Sequence, residues 1–221
     1  DYALLWSALL LLVTGLVMVY SSSIATAEAA RTTGYQPAFY LVRHSVFLVI
    51  GLVAAGIAFQ FPLAVWQRYA PLLFMVGAVL LAIVLIPGIG RDVNGARRWL
   101  PLGPINLQPS ELMKLFAVLY AADYTVRKIN VMHDLKQAFL PMAGAMAVVG
   151  MLLLKEPDFG AFVVIIAIAM GILFLGGLKA RLFVLLILFL LAAFALLILV
   201  SPYRRDRIFG FMDPWQDAFG K

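Results

Sequence analysis

The stretch from Leu182 to Val200 contains no charged or polar residue. An apolar run of that kind, about 20 residues long, is what a helix needs to cross the hydrocarbon core of a bilayer. The pattern recurs along the chain. Further apolar runs go from Ala3 to Val19, Ser45 to Phe61, Leu72 to Ile86, Ala138 to Leu154 and Phe159 to Leu175. One more, from Pro109 to Val126, is impure and holds Glu111, Lys114 and Asp123. Charged residues make up 13% of the chain, apolar ones 64%, and mean hydropathy is +1.01. A soluble domain carries roughly 25% charged residues, because its surface must meet water. Most helix surface here must instead face lipid or another helix.

The chain is therefore predicted to be all-α, a polytopic transmembrane bundle of about seven spans forming one integral membrane domain over residues 1–221. Helices are expected because each satisfies its own backbone in lipid, whereas barrel strands would alternate apolar and polar residues. Ala25-Thr26-Ala27 resembles a signal-peptide cleavage site, but no basic segment precedes the first run and more spans follow it, so that run is taken as a span. The chain is expected to be the N-terminal part of a longer protein.

Seven spans sort the connecting segments onto two sides. One side collects the segments near 22–44, 87–108, 155–158 and 201–221; the other collects 62–71, 127–137 and 176–181. Of the 17 Lys and Arg, eleven fall on the first side and six on the second. The positive-inside rule alone would place the first side in the cytoplasm. If that side is extracytoplasmic instead, an anionic ligand is the natural reason for its arginines. The second side shows no matching set of buried charges in the sequence.

Three segments on the first side can carry chemistry. In the first, Gly95-Ala96-Arg97-Arg98-Trp99 leads to Gln108-Pro109-Ser110-Glu111-Leu112-Met113-Lys114. Pro109 suits the first turn of a helix, which places Glu111 at the positive helix end and Lys114 on the same face. Charges at membrane depth are costly, so such a pair marks either a cavity or a structural ion pair. The second, Lys155-Glu156-Pro157-Asp158-Phe159-Gly160, packs three charges into a turn. Asp158 is suited to cap the next helix, and Lys155 can reach the interface and meet an anion there. The third runs from Tyr203-Arg204-Arg205-Asp206-Arg207 to Asp213-Pro214-Trp215-Gln216-Asp217. Planar guanidinium groups suit phosphates, but the same arginines can also anchor to lipid headgroups. Asp213 and Asp217 can serve acid–base or metal roles, or simply shape a turn.

Other chemistry is thinly supported. There is no cysteine, hence no disulfide and no thiolate metal site. His44 and His133 have no metal-ligand spacing, and no phosphate loop, dinucleotide fingerprint or zinc-protease motif is present.

Taken together, the Gly95–Trp99, Gln108–Lys114 and Glu156–Gly160 blocks, with Arg207-Ile208 leading into Asp213–Gly220, resemble the SEDS family (shape, elongation, division and sporulation). Tyr124-Thr125-Val126-Arg127-Lys128 and the Asp-Pro-Trp-Gln-Asp loop favour its cell-division branch over its elongation branch. Ala218 departs from the family, which usually has Pro there.

The resemblance implies a protein of about ten spans in the bacterial inner (cytoplasmic) membrane, at the division septum, with a large periplasmic loop beginning at 201–221. It implies a peptidoglycan glycosyltransferase that polymerises lipid II into glycan strands beside a class B penicillin-binding protein, the division transpeptidase, and other division proteins. A lipid II flippase and a non-catalytic scaffold of the division complex are the alternatives. The family's N-terminus is cytoplasmic, which would make the arginine-rich side periplasmic. Carried over by motif and position, the substrate-binding candidates are Arg43, Arg98, Lys114, Lys155, Arg204, Arg205 and Arg207. Glu111, Asp158, Asp213 and Asp217 would support them. The family's catalytic Asp, in a His-Thr-Asp-like motif, is expected beyond Lys221. No cofactor is assigned, with a divalent cation left open, and no nucleic acid is expected as a partner.

Overall fold

The computed structural model describes residues 2–93, 96–103, 105–132 and 134–200. Arg204, Arg205, Arg207, Asp213, Asp217 and the loop containing them lie outside the described residues. The chain divides into two compact units, one up to Val65 and one from Trp66 onward.

The first unit is a helical hairpin. Helix α1 spans Tyr2–Ala29 and α2 spans Phe39–Gln60, packed on each other. The apolar run stops at Val19, yet α1 continues through Ser21, Ser22 and Ser23. Ser22 and Ser23 donate back to the carbonyls of Val19 and Tyr20, which keeps their hydroxyls satisfied within the helix. Beyond Ala29 a short 3-10 turn, Arg31–Thr33, reverses the chain. Thr33 fastens it, its one hydroxyl proton shared between Ala27 O at 2.5 Å and Ala30 O at 2.6 Å. Ala27 is the one buried residue of α1, and α2 has none. Their open apolar faces are what spans in lipid should show.

The second unit is built round α4. Helix α3 (Leu63–Val84) begins at Leu63, not Leu72, and carries Pro71 in its interior. Membrane helices tolerate such prolines because neighbouring groups satisfy the freed carbonyl. Its buried residues Ala70, Phe74, Gly77, Leu81 and Val84 form one stripe at helical spacing. Three strands follow where a plain loop was expected: β1 (Arg91–Val93), β2 (Ala96–Leu102) and β3 (Ile105–Leu107). They form an antiparallel sheet in the order β1-β2-β3, with Asp92 opposite Arg97 and Leu100 opposite Leu107. Gly103, at φ 76, makes the left-handed turn that leads into β3.

Helix α4 (Pro109–Arg127) then returns through the bundle, α5 spans Leu140–Lys155, α6 spans Phe159–Leu175 and α7 spans Ala180–Val200. A π-helical turn, Leu135–Phe139, leads into α5 and is capped by Asp134, whose Oδ1 accepts from Lys136 N at 2.8 Å. Seven α-helices thus stand at the seven expected places among the described residues. Four of them (α1, α2, α3 and α5 with its π turn) are long and apolar enough to cross a membrane unaided.

The core of the second unit lies where α4 meets α6. Met113, Ala117 and Ala121 on α4 and Ala161, Ile165 and Ala169 on α6 are all buried at four-residue intervals. In lipid there is no hydrophobic drive between helices, so association rests on close van der Waals fit. Small residues at that spacing permit it. Phe74, Leu81, Met142, Met146 and Leu153 complete the core from α3 and α5.

A candidate anion-binding site at the head of α6

The packing of α4 against α6 brings three separate loops together at one end of the second unit. Asp158 sits at the centre. As the cap of α6, its Oδ1 accepts from Ala161 N at 3.3 Å, satisfying one of the free N–H groups of the first turn. Its Oδ2 accepts from Ser110 Oγ at 2.7 Å and Gln108 Nε2 at 3.0 Å, both at the start of α4. Gln108 Nε2 also lies 3.0 Å from Ser110 Oγ, so the three side chains form one polar knot. Asp158 is thus both the helix cap and the pin between α4 and α6.

Arg98 reaches this knot from β2. Its Nη1 lies 3.9 Å from Asp158 Oδ1, a long ion pair, and its side chain is 18% exposed. The neighbouring Arg97 does something else. It donates to Asp92 through Nε and Nη2, at 3.3 and 3.0 Å, and to Leu85 O through Nη1 at 3.4 Å. Successive side chains of a strand point to opposite faces, so two adjacent arginines receive separate tasks. Arg97 braces the sheet against the end of α3, while Arg98 faces Asp158, its one ion-pair partner among the described residues.

Lys114 and Glu111 pair at 2.7 Å on α4, with side chains 30% and 59% exposed, on the outer side of the helix instead of in its core. Lys155 is exposed in the last turn of α5, where a cation complements the helix dipole. Arg43 belongs to α2 in the first unit, its guanidinium 5.9 Å from the Phe47 ring centroid. The second unit therefore gathers Arg98 and Asp158 at one point and leaves Lys114 with Glu111.

Three members of the cluster received no role from sequence. Gln108 and Ser110 stood inside a quoted motif, and a polar Ser110 in so apolar a chain was the available signal; it is fully buried. Glu156, in the turn between α5 and α6, is also fully buried, and neither carboxyl oxygen has a hydrogen-bond partner among the described residues. Burial, with the nearby Asp158 adding and Arg98 opposing, pushes its pKa up to about 8. At neutral pH it is mostly a neutral acid.

The opposite end of α4 also holds a buried carboxylate. Asp123 is 7% exposed and accepts from Arg127 Nε at 2.8 Å. Tyr124 Oη beside it donates to Ala138 O at 2.7 Å. Among the described residues no three acidic or histidine side chains gather as metal ligands.

Residues 2–221 match the family described as FTSW_RODA_SPOVE, cell cycle protein. The chain belongs to that family. A curated FtsW/RodA/SpoVE relative from Aromatoleum aromaticum, named probable peptidoglycan glycosyltransferase FtsW, is 65% identical over the whole chain, which covers 54% of the relative. One of the same name from Burkholderia thailandensis is 52% identical, again over the whole chain and 48% of the relative. The chain thus spans about half the length of the curated relatives it matches, and both are named FtsW. Among solved structures, the Thermus thermophilus rod shape determining protein RodA matches with TM-score 0.61 and 30% identity, over 85% of this chain and 59% of that one. A chain solved for the structural coordination of polymerization and crosslinking by a peptidoglycan synthase complex matches with TM-score 0.63 and 33% identity, over 93% and 60%. Family and helical membrane fold are thereby established.

Proposed function

We propose that the whole protein is a peptidoglycan glycosyltransferase that polymerises lipid II at the division septum, in the inner membrane, beside a class B penicillin-binding protein. The names of the relatives support the activity, and the synthase complex among the structural neighbours supports a partner of that kind. The observation in this chain that carries the reading is Arg98. It is a partly open guanidinium that, among the described residues, pairs at 3.9 Å with an Asp158 whose oxygens also accept from Ser110, Gln108 and Ala161 N.

In the reaction, the 4-hydroxyl of an acceptor sugar attacks the anomeric carbon of the donor, and undecaprenyl diphosphate leaves. A carboxylate beyond Lys221 takes the hydroxyl proton, a step worth about 10²–10⁴-fold when well placed. Negative charge gathers on the departing diphosphate. Arg98 is the group here suited to meet it, donating parallel N–H bonds to phosphate oxygens, and its preset position spares reorganisation during the reaction. Asp158 keeps Arg98 in place without engaging it fully. Lys114, Lys155, Arg43 and the arginines after Ser201 are further candidates for the same charge.

The test uses full-length protein with its candidate transpeptidase, the transpeptidase's active site blocked, and labelled lipid II in detergent. Arg98→Ala should lose glycan strands while melting like the parent. Normal turnover in a folded Arg98→Ala variant removes the assignment. The buried Asp123 at the far end of α4 favours one second reading, translocation of lipid II, since a flippase needs polar groups towards both faces. Vesicles that move labelled lipid II without forming strands would select it.

A further inference from the structure

Glu156 belongs to the cluster at the head of α6 but takes no part in the reaction as described. It is fully buried, and its two oxygens have no partner among the described residues. A buried carboxylate without partners is so unfavourable that such groups take up a proton instead. Two charges bear on it: Asp158 at the head of α6, which favours its proton, and Arg98 on β2, which opposes it. On α4 the Glu111–Lys114 pair is closed at 2.7 Å, and α5 itself ends in the exposed Lys155.

We infer that Glu156 is a positioning residue for Arg98: as a neutral acid it leaves Arg98 open to an anionic ligand, and as an anion it would claim Arg98 for itself. The inference rests on the reading of this site as a diphosphate site. Asp158 is a weak competitor for Arg98, because Ser110, Gln108 and Ala161 N already occupy its oxygens. An ionised Glu156 with both oxygens bare would be a strong one. With Glu156 neutral, Arg98 and Asp158 cancel; with it ionised, the group carries a net negative charge that repels phosphate.

Anion binding and protonation of Glu156 are therefore linked, each favouring the other. The group changes charge near pH 8.

The test measures binding of a short-chain polyprenyl diphosphate to full-length protein in detergent, for the parent and for Glu156→Gln, at pH 7 and pH 9. Glutamine keeps the neutral shape at both. The ratio of parent to variant affinity should fall about tenfold over that interval, and taking the ratio cancels the ligand's own ionisation. Infrared difference spectra should also show, at pH 7, a protonated-carboxyl stretch that disappears in Glu156→Gln. A pH-independent affinity ratio, or no such band in the parent, overturns the inference and leaves the anion site standing. Absence of diphosphate binding by the parent at either pH overturns the anion site itself and this inference with it. Should the variant fail to fold, the parent's infrared band and the proton uptake that accompanies its binding still decide the question.

Discussion

Asp158 accepts from Ser110, Gln108 and Ala161 N and lies beside Arg98, so its loss strands several groups at once. Asp158→Ala should cost about 2–4 kcal/mol, since buried donors and a partly buried cation lose their acceptor. Ser110→Ala, which removes one donor, should cost about 1 kcal/mol. Thermal melts of the full-length protein in detergent check the order, and an Asp158→Ala variant as stable as Ser110→Ala would show that the knot does not hold α4 to α6. Glu156 gives a second signature. Its carboxyl moves from an ordinary 4.5 to about 8 on folding, so between these values the folded state keeps a proton that the unfolded chain has released. The advantage of the neutral buried acid is present in full below the lower value and lost as pH rises towards the upper one. Stability should fall by about 1.4 kcal/mol per pH unit across that window from this group and level off above it. Glu156→Gln should lack this component, and identical pH–stability curves for the two proteins would refute it. Much of this knot was legible in outline: Arg98 and Asp158 stood in separate charged motifs of an apolar chain. The division of labour between Arg97 and Arg98 was not, because it needs the strand direction. The burial of Glu156 was hidden too, because it depends on how β2 and the heads of α4 and α6 converge.

At the scale of elements, the long apolar runs announced their helices, since lipid leaves a backbone so few ways to satisfy itself. Boundaries were harder, as serine back-bonding in α1 and an internal Pro71 in α3 carry these helices past residues that end helices in water. The sheet was invisible because β1 and β3 are three residues each, too short for alternation to show. Contact between α5 and α6 makes its own demand. A Cβ on Gly150 would stand 2.7 Å from the Phe162 ring. The ring can yield to a methyl group, so Gly150→Ala should be mild. Gly150→Ile should destabilise by about 1–3 kcal/mol, the usual cost of overpacking. A drop in melting temperature for isoleucine, far larger than for alanine, is the expected result, and equal melting of both variants would mean that α5 and α6 pack less closely there.

For the whole molecule, the decisive question is which way the second unit faces. Its arginine-bearing end holds β1, β2 and the knot at Asp158, and its other end holds the Asp123–Arg127 pair. Between them α4 has 19 residues, a rise of about 28 Å and close to the thickness of the hydrocarbon core. With α4 read as a span, the two ends belong to opposite faces of one bilayer. Loop charge counted alone would turn the arginine-rich end towards the cytoplasm, whereas the proposed function, with its anionic lipid substrate at the outer face, requires it outside. The absence of cysteine in residues 1–221 makes the choice measurable. Val93 on β1 and Ile129 just past α4 are both exposed, at 40% and 59%, so cysteines placed there should be reactive without disturbing the core. In full-length protein lacking other cysteines, a membrane-impermeant thiol reagent added to intact cells should label Val93→Cys and spare Ile129→Cys until the membrane is opened. The reverse pattern would put Arg98 on the cytoplasmic side, where it cannot meet a substrate displayed outside, and the polymerase reading of this site would fall with it.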